Sequence, residues 1–119
     1  MKKSLKKKIE KVIVANVRQS EMKYVEALVK VLGKRVGPHK AIYNCQLQDY
    51  LYSKFGDEVA ASSIRRYINY IRIKKLVTNL IACSDGYFVA STPEQLSVYI
   101  ESLKHRAFAI LCLVDSYEV

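Results

Sequence analysis

Apolar residues recur every three or four positions along most of the chain, the spacing that places them on one side of an α-helix. Leu5, Ile9, Val12, Ile13 and Val17 predict a helix from Ser4 to about Gln19, with lysines between the apolar positions. Val25, Leu28, Val29 and Leu32 predict a second from Met22 to Leu32, with Gly33 as its C-cap. After a loop holding Gly37 and Pro38, Asn44 is the expected N-cap of a short helix. Leu47, Leu51 and Phe55 share a face of that helix, and Gly56 ends it.

A longer helix is expected from about Ala60 to Leu76, where Ile64, Ile68 and Ile71 form a core stripe. The period then changes. LIACSDGYFVA holds two short β-prone runs around Asp85-Gly86, a local hairpin signal because glycine tolerates positive φ. Thr92 and Pro93 open the last helix as N-cap and first residue. In it Leu96, Ile100, Leu103, Ala107, Ile110 and Val114 follow the alternating four-three spacing of a coiled-coil seam. Phe108, Leu111 and Cys112 make AFAILCLV apolar nearly all round, which predicts burial against another element or a second chain, and the seam predicts a homodimer.

Charge changes this picture. Of 20 Lys and Arg against 11 Asp and Glu, the first 40 residues hold twelve against three, and the remainder balances at eight against eight. A basic end on a small domain of net charge +9 attracts polyanions, nucleic acid first among them. In IRRYINYIRIKKL the non-core side of the expected helix carries arginine and asparagine, which pair bidentately with guanine and adenine edges in the major groove. Ser62, Ser63, Arg65, Arg66, Asn69, Arg72 and Lys74 are the expected DNA-binding residues, and Lys2, Lys3, Lys6, Lys7 and Lys8 the expected phosphate contacts. Tyr67 and Tyr70 flank the isoleucines and are read as packing residues.

Other chemistry finds little footing. Cys45, Cys83 and Cys112 are odd in number and widely spaced, as expected of free thiols in a reducing cytoplasm. His39 and His105 lie in no nucleophile or metal motif, and Gly33-Lys34-Arg35-Val36-Gly37 lacks the phosphate-loop pattern. The expectation is a non-enzymatic protein with no catalytic residues, cofactor or metal. The short run VIVANV is followed by charge, so neither a signal peptide nor a membrane span is expected, and the location expected is cytoplasmic.

The double arginine of IRRYINYIR, the hairpin LIACSDGYFVA with Gly86-Tyr87-Phe88, and TPEQLSVYIESLKHRAFAI together resemble the small winged helix-turn-helix proteins of bacteriophages and mobile elements of bacteria with low genomic G+C. The resemblance runs from about Lys23 to Val114. It implies a mainly α fold with a small β-hairpin wing. Residues 22–91 would form the winged helix-turn-helix domain, 1–21 an extra basic N-terminal helix, and 92–119 a long C-terminal helix for dimerisation. It also implies that the arginine-bearing helix is the recognition helix and that Ser84, Asp85, Gly86 and Tyr87 form the wing. Lys75 stands where such proteins often have a helix-ending glycine or asparagine, and Asp85 where a lysine is more usual, which argues against phosphate contact by the wing. The function expected is binding of double-stranded DNA, as a phage-type regulator or replication accessory. The alternative is a winged-helix protein that binds a host protein or ribonucleoprotein, such as a replication factor or a defence nuclease.

Overall fold

The apolar stripes become a core of three helices with a hairpin at one end. The computed structural model describes residues 3–117, so Lys2 lies outside the described residues. Helices α1 (Lys3–Ala15), α2 (Met22–Leu32), α3 (Asn44–Phe55) and α4 (Ala61–Ile73) precede strands β1 (Leu80–Cys83) and β2 (Gly86–Val89), and α5 (Pro93–Tyr117) follows. Val25, Leu28 and Leu32 of α2, Leu47 and Leu51 of α3, and Ile64, Tyr67, Ile68 and Ile71 of α4 meet in one buried cluster. The fold is mainly helical with a small antiparallel hairpin.

The hairpin pairs Leu80 with Val89 through Cys83 with Gly86, leaving Ser84 and Asp85 as its loop. Gly86 is therefore the first paired residue of β2, and at φ 109° it holds the conformation that needs glycine. Close approach adds a second reason, because a Cβ there would stand 2.5 Å from the Ile42 carbonyl oxygen. The far edge of β2 is not free. Ile42 N–H donates to the Tyr87 carbonyl at 3.0 Å and Tyr87 N–H to the Ile42 carbonyl at 2.8 Å, so the stretch between α2 and α3 is laced to the hairpin.

Helix ends correct several expectations. The first helix stops at Ala15 rather than Gln19, and a 3₁₀ turn at Gln19–Glu21 leads into α2. Gly33 caps α2 in a right-handed conformation, φ −60°, and does not use its freedom, whereas Gly56 ends α3 at φ 75°. Asn44 is the first residue of α3 rather than its N-cap. The N-cap is Tyr43, whose N–H donates to Gln46 Oε1 at 2.8 Å, and Asn44 Nδ2 reaches instead to the Ala61 carbonyl and the Tyr87 hydroxyl. Helix α4 ends through Lys75 at φ 56°, with Leu76 N–H bonded to the Ile71 carbonyl and Lys75 N–H to the Arg72 carbonyl, so a lysine takes the left-handed position. At α5 the expected cap forms, with Gln95 N–H donating to Thr92 Oγ1 at 3.2 Å.

None of the 25 residues of α5 is buried. Leu96 and Leu103 are half-covered by the domain, while Ala107, Ile110 and Val114 are exposed. The expected seam is thus split: Leu96 and Leu103 lean on the domain, whereas Ile100, Ala107, Ile110 and Val114 are exposed.

Candidate nucleic-acid interface

Helix α4 buries one side and presents the other, and its polar side divides again. Ser62, Arg65 and Asn69 are exposed and fall within about 60° of one another around the helix axis. They make an open cationic strip with two short hydrogen-bonding side chains. Lys74 is exposed at the C-cap, and Ile73 adds apolar surface to the same side.

Arg66 turns the other way. Its guanidinium donates to Glu21 Oε2 at 3.0 Å and Oε1 at 3.3 Å, to the Asn16 carbonyl at 2.6 Å and to Ser63 Oγ at 3.1 Å. The Tyr67 hydroxyl also donates to Glu21, and the Arg66 guanidinium lies 5.3 Å from the Tyr67 ring. The Arg66 guanidinium, with the Tyr67 hydroxyl and the Arg18 N–H beside it, holds the Glu21 carboxyl at about 2 against the opposing effect of burial. Burial, with the hydrogen bond to Glu21, pushes the Tyr67 phenol up. Ser63 and Arg66 are therefore bound up in joining α4 to the α1–α2 connection. Glu21 has one signal in the sequence, that of an acid in a basic stretch, and its partners Arg66 and Tyr67 lie 45 and 46 positions away.

Arg72 is half-buried. It donates to the Tyr99 hydroxyl at 2.6 Å and stacks 5.7 Å from that ring, which ties the C-terminal end of α4 to α5. Tyr70 is half-buried and Tyr67 buried, as expected for packing residues. Lys3, Lys6, Lys7 and Lys8 are exposed on α1, a helix that packs on α4. In the hairpin Ser84 and Asp85 are exposed at the tip, whereas Gly86 is buried and Tyr87 turns inward to Asn44.

Cys45, Cys83 and Cys112 are exposed free thiols. No helix among the described residues is long and apolar enough to cross a membrane. No protein-family model, curated protein or solved structure matches this chain.

Proposed function

We propose that the chain is a winged-helix protein that binds double-stranded DNA without catalysis, with α4 as the recognition helix in the major groove. The observation that carries this reading is the open strip of Ser62, Arg65 and Asn69 on the part of α4 turned away from the core. It is cationic, unobstructed by the protein's own side chains, and built on a helix whose back is fixed by the core. The element order supports it: helix, extended segment bonded to β2, helix, helix, hairpin. Arg65 and Asn69 read base edges, Lys74 contacts backbone phosphate, and the lysines of α1 add charge that positions without specifying. The tip of the hairpin, with Asp85 exposed, is assigned no phosphate contact.

Fluorescence anisotropy with a labelled duplex across a salt series tests the proposal. Binding at about ten micromolar or tighter at low salt, with a steep loss as salt rises, is expected. Absence of such binding overturns the reading, and partners recovered from nuclease-treated lysate would then favour a protein-binding role.

A further inference from the structure

The end of α5 is apolar on every side and covered on none. Phe108, Ile110, Leu111, Leu113 and Val114 are each between 44% and 61% exposed, and Tyr117 is 84% exposed. At 100° per residue, Ile110 and Val114 continue the seam, while Phe108 and Leu113 project well to either side of it. Earlier on the same helix, Leu96, Ile100 and Leu103 face Arg72, Val77 and Leu80 across a groove of about 440 Å³. One chain thus carries both an unfilled apolar groove and an uncovered apolar tip, at opposite ends of one straight element.

We infer that two copies of this chain pair through α5 in antiparallel fashion, each placing its tip in the other's groove. The seam sets the register: Leu103 faces Val114 of the second copy, Ile100 faces Tyr117, and Ala107 faces Ile110. The small Ala107 opposite Ile110, repeated by the two-fold axis, lets the helices close at their centre. Val114 and Tyr117 then enter the groove against the partner's half-covered Leu103 and exposed Ile100. Asp115 arrives near the Arg72 and Lys75 rim.

Area agrees with a second copy. Ile110, Val114 and Tyr117 on the seam, with Leu113 beside them, are each between 44% and 84% exposed, and a two-fold pair doubles that apolar area and adds both grooves to it. A membrane surface is a poorer occupant, since a helix lying at an interface needs one strongly polar face and this tip has none. The inference does not depend on what α4 binds, so failure of DNA binding leaves it standing.

Disulfide trapping tests the register. In a background with Cys45, Cys83 and Cys112 replaced by Ser, the double variant Leu103→Cys/Val114→Cys should give a covalent dimer on oxidation, and each single variant should not. Antiparallel pairing sets the two Leu103 positions 11 residues apart, roughly 16 Å along the axis and beyond disulfide reach. Trapping by either single variant means a parallel pair and overturns the inference, as does no trapping at all. Analytical ultracentrifugation of the full chain at micromolar concentration should give twice 13.6 kDa. Val114→Asp should weaken self-association at least about tenfold while leaving the helical circular-dichroism spectrum of the monomer unchanged, because Val114 is exposed in its own chain. A monomer near 13.6 kDa overturns the inference, whether or not it sediments with vesicles of phosphatidylglycerol and phosphatidylcholine.

Discussion

Arg65 and Arg66 are neighbours in sequence and belong to different parts of the molecule's economy. Arg65 points from the open side of α4 into solvent, while Arg66, about 100° around the helix, is held by a carboxylate, a carbonyl and a hydroxyl. The two sides of one helix therefore divide the work. One side is free to meet a ligand, and the other fastens α4 to the α1–α2 connection. A doubled arginine in a basic helix is not two copies of one function.

The division makes opposite predictions for the two sides, and acid should separate them most. The Glu21 carboxyl is lowered from 4.5 to about 2, so the folded state gains stability that is fully present above about pH 5 and lost as pH falls towards 2. At 1.36 kcal/mol per pH unit the ceiling is about 3 kcal/mol. Thermal melts between pH 6 and 2 should decline over that window, and Glu21→Gln should flatten the decline. A decline unchanged by Glu21→Gln would show that other carboxylates carry it.

Arg66→Ala should cost about 2 to 3 kcal/mol of stability by leaving Glu21 partly buried without its partner. Affinity for duplex, measured per folded molecule, should change little. Arg65→Ala should do the reverse, weakening duplex binding by roughly 1 to 3 kcal/mol with a melting temperature shifted by less than about 0.5 kcal/mol equivalent. Equal effects of the two substitutions on melting, or equal effects on binding, would erase the distinction. A smaller change is expected of Lys75→Gly, which relieves the left-handed φ of 56° and should stabilise by about 0.5 to 1 kcal/mol, with less effect on affinity than Arg65→Ala.

Much of this architecture was readable from local pattern. The stripes of α2 and α4, the glycine stop of α3, the hairpin and the Thr92-Pro93 start of α5 all depend on residues within a few positions of one another. The features that escaped depend on distant partners. Arg66 meets Glu21 across 45 positions, Tyr87 pairs with Ile42, and Arg72 finds Tyr99 across 27. Asn44 has the chemistry of an N-cap, but its amide is drawn to Ala61 and Tyr87, and Gln46 caps Tyr43 in its place. For the candidate site, residue type and helical phase identified the open strip, yet nothing local told that Arg66 and Ser63 would be withdrawn from it. Likewise the even spacing of the seam did not reveal that the domain half-covers Leu96 and Leu103 and leaves Ile110 and Val114 bare.

The hydrogen bond from Arg72 to Tyr99 couples the orientation of α4 to that of α5. In the antiparallel pair inferred above, the two Tyr99 positions would lie 19 residues apart along the helices, roughly 29 Å, close to the spacing of about 34 Å between half-sites on one face of duplex DNA. On the proposed function, seating one α4 would confine the second within reach of the next turn, so that its binding would become intramolecular. Local effective concentration would then govern affinity, with an expected gain of roughly 10² to 10⁴ over a single site that vanishes when the spacing does not match.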